Sequence, residues 1–129
     1  MDALAGVTRV LFAPSAASDS LSAAAGYQVF HAGRRLSAAL ASIETPPRLY
    51  LLTRNAQPVN EGDRANAVHA VLWGLGRTLA LEHPEFWGRV VDVDETVPTG
   101  LVATYLLRES RAADTEDQVV YHAGLRRVP

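Results

Sequence analysis

The sequence predicts an α/β domain built on a mainly parallel sheet with flanking helices. Four short apolar runs carry that expectation: VTRVLFA (7–13), RLYLLTR (48–54), RVVDVD (89–94) and QVVYH (118–122), each of strand length and rich in Val, Leu or Tyr. The stretches between them are long enough for helices, and the first two carry apolar residues at spacings of three and four. Connections of that length between apolar strands imply crossovers and hence parallel pairing, with helices packed over the sheet faces.

Taken in order, the first strand ends at Pro14 and is followed by a Ser/Ala/Asp loop in which Ser20 or Ser22 is placed to cap a helix. That helix is expected to reach about Ile43, with Val29, Leu36, Leu40 and Ile43 on one face and Arg34 and Arg35 on the other. Thr45-Pro46-Pro47 stops it, because a residue before proline avoids the helical region. The second strand is a continuous apolar run, as expected when both faces are covered. Residues 55–63, NAQPVNEGD, read as a loop. The central helix is expected from about Arg64 to Glu82, with Val68, Val71, Leu72, Leu75 and Leu79 as its stripe and His83-Pro84 as its stop. After the third strand, Pro98 is tolerated in a first helical turn, and a third helix runs to about Arg108 with Leu101, Val102, Tyr105 and Leu106 inward. SRAADTED is a polar loop, and GLRRVP leads out of the fourth strand towards a possible further strand.

Composition narrows the chemistry. A chain of 129 residues, 48% hydrophobic and 20% charged, is one folded domain, 1–129, or a piece of a larger protein. A net charge of −2 favours neither nucleic acid nor an anionic membrane. All twelve basic residues are arginine, so a Schiff-base lysine, a P-loop lysine and a Tyr-x-x-x-Lys dyad are excluded. The absence of cysteine excludes disulfides, thiolate catalysis and cysteine-ligated zinc. Without a membrane-length apolar run or a basic, apolar leader, the expected setting is cytoplasmic.

Candidate sites are few. A dinucleotide site in such a sheet needs a glycine-rich turn after the first strand, and here that turn reads APSAASDS. The G-x-G of Gly74 and Gly76 lies inside a helix, with Leu79 where the third glycine belongs, so it reads as close packing. His31, His69, His83 and His122 fall in different elements and encode no local metal site. Asp92, Asp94 and Glu95, with Thr53, Arg54 and Asn55, lie at strand carboxyl ends, where a ligand would bind; the competing reading is a solvated strand terminus. Trp73 and Trp87 bracket the end of the central helix as core or interface anchors.

RLYLLTRNAQPV, AVLWGLGRTLALEHPEFWGRVVDVD and QVVYHAGLRRV together resemble the ketoreductase region of modular type I polyketide synthases, and more narrowly its N-terminal structural subdomain. The long run Trp73–Arg77, Glu82–Pro84, Trp87 and Gly88 carries most of the resemblance, which spans roughly residues 7–128. It implies a truncated Rossmann-like fold, excised from a multidomain synthase, with no catalytic, cofactor or metal residues of its own. NADPH and the Ser/Tyr/Lys set would belong to a catalytic half, and phosphopantetheine to the carrier protein. The implied partners are that catalytic subdomain, an enoylreductase and other synthase domains, in polyketide or fatty-acid-like chain synthesis. Trp73, Gly74, Gly76, Arg77 and Trp87 are the expected packing or domain-interface residues. Two other readings stay open: a small Rossmann-like nucleotide-binding enzyme using Arg54, Asn55, Asp92 and Asp94, and a docking module for an enoylreductase or carrier protein.

Overall fold

The computed structural model describes residues 6–14, 23–57, 66–94 and 96–128. The expected caps Ser20 and Ser22, most of the loop at 55–63 and Glu95 lie outside those residues, whereas the central helix, expected from about Arg64, is capped by the extended Asn66 and starts at Ala67. The elements run β1 (Arg9–Phe12), α1 (Ala23–Ala41), β2 (Arg48–Arg54), α2 (Ala67–Glu82), β3 (Trp87–Val93), α3 (Thr99–Arg111), β4 (Gln118–His122) and β5 (Leu125–Arg127). They form one five-stranded sheet in the order β1-β2-β3-β4-β5, the first four strands parallel and β5 antiparallel to β4.

Strand alternation divides the core into two layers. Leu49, Leu51 and Val90 meet Leu40 of α1 and Leu72, Leu75 and Leu79 of α2 on one face. Leu52, Val91, Val93, Val119 and Tyr121 meet Val102 and Tyr105 of α3 on the other. All three crossovers step the same way across the sheet, yet α3 lies on the opposite face from α1 and α2. Its crossover therefore has the opposite hand to the other two. With the usual right-handed hand for the first pair, β3-α3-β4 is the uncommon left-handed case.

Several boundaries differ from expectation. β3 starts at Trp87, two residues early, because the β2 register slips between Leu49 and Tyr50 and makes room for Gly88. A Cβ on Gly88 would stand 2.6 Å from the Leu49 carbonyl oxygen, so the bulge requires glycine. α3 begins at Thr99 with Pro98 as its cap residue, and continues to Arg111, past the expected Arg108. β5 pairs through a tight turn in which Ala123 and Gly124 have φ of 50° and 80°. Two consecutive positive φ values match the turn that asparagine-glycine favours. Ala123→Asn is expected to raise stability by about 0.5–1 kcal/mol by relieving the left-handed alanine, read as a higher urea midpoint.

The central helix explains its glycines by orientation. Residues two apart differ by about 200° around a helix, so Gly76 and Gly74 face nearly opposite ways. Gly76 is packed: an added Cβ would lie 3.0 Å from the Trp87 ring and 3.6 Å from Val90. Gly74 is open, with nothing within 4 Å of such a Cβ. Gly76→Leu should cost on the order of 1–3 kcal/mol by overpacking, whereas Gly74→Ala should gain about 0.5–1 kcal/mol of helix propensity. Thermal denaturation of the two variants checks both signs.

Candidate functional site

The carboxyl ends of β2 and β3 are where a parallel sheet of this kind holds a ligand. Here they are filled by the chain's own groups. The Trp73 indole N–H donates to Thr53 Oγ1 at 3.0 Å, and that hydroxyl donates to Asp92 Oδ1 at 2.6 Å. Asp92 also accepts the backbone N–H of Ala56 at 2.8 Å and of Gln57 at 3.0 Å. Trp73, Thr53 and Asp92 are all buried. The carboxylate thus pins the loop leaving β2 to β3 and, through Thr53 and Trp73, to α2.

Arg54 is committed in the same way. Its Nε donates to the Val93 carbonyl, and Nη2 donates to the carbonyls of Asp94 and Val97, at 2.9–3.2 Å. This arginine, placed by the sequence at a strand's carboxyl end, is a clasp for the β3–α3 connection. Asn55 adopts a φ of 59°, donates its backbone N–H to Val93 and accepts that of Asn66 through its carbonyl. Asn66 in turn caps α2 by accepting from Val68 and His69 N–H. His69 lies fully buried, and its Nδ1 accepts the Arg54 N–H at 2.8 Å, a tie between helix and strand end. Asp94 accepts through Oδ2 from Thr96 and, at 3.4 Å, from the Ala123 N–H, while its buried Oδ1 has no hydrogen-bond partner among the described residues. These bonds tie Arg54, Asn55, Asp92 and Asp94 into the fold. The sheet order has no reversal among the described strands, so the switch-point crevice that accepts a dinucleotide in doubly wound sheets is not formed there.

The other residues singled out in the sequence separate. Trp87 is buried against Gly76, and its Nε1 has no hydrogen-bond partner, so shape alone holds the ring. Arg77 is exposed. His31 stacks on Tyr27 along α1. His83 follows α2, stacks on Phe86 and pairs with Glu85, whose carboxyl its hydrogen bond holds below the ordinary value. Among the described residues no group of three His, Asp or Glu side chains comes together to hold a metal.

Two features escaped the sequence. The first is a charge cluster beneath α3. Glu109, 1% exposed, accepts from Arg89 at 2.7 Å, from Arg126 at 2.8 Å and from the Tyr121 hydroxyl. Asp114 closes the ring with Arg89 and Arg126, each at 2.9 Å. Burial pushes the Glu109 carboxyl up, but the hydrogen bonds from Arg126, Tyr121 and Arg89 outweigh it and leave the group below the usual carboxylate value. Burial and the Glu109 carboxylate push the Tyr121 phenol up to about 12. The available signal was Arg89 itself, a charge at the head of a buried strand, which needs a partner.

The second is an open groove of about 600 Å³ between α1 and α2, lined by Phe30, Arg34, Val71, Gly74, Thr78 and Glu82 among others. Gly74 forms part of its floor. On the same two helices Tyr27 and Leu81 are 67% and 85% exposed.

The chain is similar to parts of known polyketide synthases. The family model described as the Rossmann fold domain of polyketide synthase extender module SpnB matches residues 1–129. One subunit of the phenolphthiocerol/phthiocerol polyketide synthase of Mycobacterium tuberculosis (strain ATCC 25618 / H37Rv) is 53% identical over 133 residues, covering 100% of this chain and 9% of that protein. Polyketide synthase GfsA of Streptomyces halstedii is 42% identical over 87 residues, covering 67% of this chain and 1% of that protein. Among solved structures, A-type ketoreductases from a modular polyketide synthase align with a TM-score of 0.66 at 32% identity, over 78% of this chain and 21% of theirs. The first ketoreductase of the tylosin synthase aligns with a TM-score of 0.68 at 31% identity, over 78% of this chain and 22% of its own. The chain therefore spans less than a quarter of each of these proteins.

Proposed function

The chain belongs to the family of Rossmann fold domains of polyketide synthase extender modules, and from that premise we propose that it is the non-catalytic structural subdomain of a ketoreductase region. In this role it supports an NADPH-dependent catalytic half and its neighbours, and takes no part in the chemistry. The observation that carries the reading is the internal hydrogen bonding at the carboxyl ends of β2 and β3. Asp92, Thr53 and Arg54, at the positions where a ligand would be read, are spent on backbone and neighbouring side chains. NADPH does not fit these residues: the turn after β1 has no glycine to admit a pyrophosphate, and the described strands form no switch point. The absence of lysine agrees, since the family's Ser/Tyr/Lys chemistry has no counterpart here.

The groove between α1 and α2 is the surface offered to the catalytic half. The ketoreductase chains that align with this one extend well beyond it, the match covering 21–22% of their length, which leaves room for a catalytic partner in the same polypeptide. Exposed Tyr27, Phe30 and Leu81 supply the apolar anchors, and Gly74 allows close approach. A calorimetric titration of the chain with NADPH is expected to give no saturable heat; saturable binding overturns the reading. Co-purification with the catalytic ketoreductase half, abolished by Gly74→Leu, is the positive counterpart. Retention of an enoylreductase or carrier protein alone would favour the docking-module alternative.

A further inference from the structure

α3 carries two stripes, and the sheet uses only one of them. Val102, Tyr105 and Glu109 turn inward and are buried. Ala103, Leu106, Leu107 and Ser110, at i, i+3, i+4 and i+7, face sideways along the sheet. There they meet an apolar trough of about 280 Å³ whose floor is Leu11 of β1 and Tyr50 of β2. Leu11 is 49% exposed and Leu107 51%. One end is closed where Arg9 Nε donates to the Ser110 carbonyl at 3.1 Å.

Parallel strands are normally covered on both faces. On the α1/α2 face this holds, with Val10 and Phe12 of β1 packed into the core. Among the described residues, those of β2, β3 and β4 line the core on the α3 face, whereas Leu11 of β1 stands 49% exposed. The open width is that of one helix. β1 and β3 are two strand spacings apart, about 10 Å, and packed helices lie about 8–10 Å apart. A helix laid over β1 would thus sit at packing distance from α3 over β3, against a stripe whose ends, Ala103 and Ser110, are small enough for close approach.

We infer that this trough seats an amphipathic helix supplied by the synthase polypeptide outside residues 1–129, with an apolar stripe towards Leu11, Tyr50 and Leu107 and a carboxylate opposite Arg9. The inference rests on the reading of the chain as a synthase subdomain. Two observations choose this occupant. The M. tuberculosis relative matches this chain over only 9% of its own length, so polypeptide to supply a helix is at hand. Arg9 is the single charged residue lining the trough among those described, which selects an apolar segment with one acidic group.

Hydrogen exchange of the chain alone and of the longer synthase polypeptide tests it. Amides of β1 and of the Ala103–Ser110 side of α3 are expected to exchange about tenfold more slowly in the longer polypeptide, as local openings become rarer. Leu107→Arg should abolish that protection, and Arg9→Glu, which leaves every apolar contact in place, should reduce it. Equal exchange in both settings overturns the inference, as does protection that rises with concentration in the isolated chain, which would make the occupant a second copy. Protection of the α1/α2 groove without protection of the trough overturns the inference and leaves the scaffold reading standing. Protection of neither overturns both.

Discussion

Glu109→Ala is expected to lower the unfolding free energy by about 3–5 kcal/mol, the cost of leaving one partner of a buried ion pair uncompensated. Arg89, 4% exposed, would keep only Asp114 at the rim, and the Tyr121 hydroxyl would lose its acceptor in a dry site. The effect should reach three elements at once, because Glu109 ties α3 to β3 through Arg89, to β4 through Tyr121 and to β5 through Arg126. Urea denaturation monitored by circular dichroism measures the loss. Removing the charges together gives the opposite result: Arg89→Met with Glu109→Leu, completed by Tyr121→Phe, should recover most of it, since well-packed apolar replacements of buried ion pairs are often neutral.

The same cluster sets a pH dependence whose sign is fixed. Glu109 is held below its ordinary value of 4.5, so its contribution is present above the unfolded-state pKa and is lost as pH falls through the folded one. Wild-type stability should therefore decline on acidification below about pH 4.5, and Glu109→Gln should flatten that decline. A variant that keeps the full acid-induced loss would show that the cluster contributes nothing to it.

Which parts of this architecture were legible follows from how each is stabilised. β2 and β3 are buried on both faces over most of their length, so RLYLLTR and RVVDV stand out as largely apolar runs, and the structure places β2 where expected. α2 was legible because its apolar stripe and its stop at His83-Pro84 are local signals. β5 was only suggested, since Leu125, Arg126 and Arg127 are exposed and leave no apolar pattern, while the ion pairs that hold Arg126 come from residues distant in sequence. The face taken by α3 depends on which sheet residues its stripe meets, a non-local fact absent from any window. The glycines lay between these cases: both were read as packing, although a 200° separation already required that only one of them meet the sheet. Likewise Arg54, Asp92 and Asp94 were recognisable as residues at strand ends, while partners such as Val97, Ala56 and Ala123, 43, 36 and 29 positions away along the chain, were not.

Asp92→Ala is the second substitution with a large expected effect, and it separates a lock from a ligand site. Asp92 accepts three hydrogen bonds inside the fold, from the Thr53 hydroxyl and from the N–H groups of Ala56 and Gln57. Truncation would strand the buried Thr53 and Ala56 donors, at about 1–3 kcal/mol for each unsatisfied group, giving a loss on the order of 2–6 kcal/mol. Asp92→Asn should cost less than Asp92→Ala but still destabilise, because its amide keeps one acceptor oxygen while turning an NH2 group towards an N–H donor. A residue kept for binding behaves otherwise: replacing it commonly leaves stability unchanged or raises it, since functional groups are held at some cost to the fold. The thermal midpoint of Asp92→Ala is thus the discriminating measurement. A midpoint at or above that of wild type would contradict the lock and reopen the carboxyl end of the sheet as a binding site. A midpoint many degrees lower, with the loop after β2 losing exchange protection first, is the result expected of a carboxylate whose partners are all its own chain.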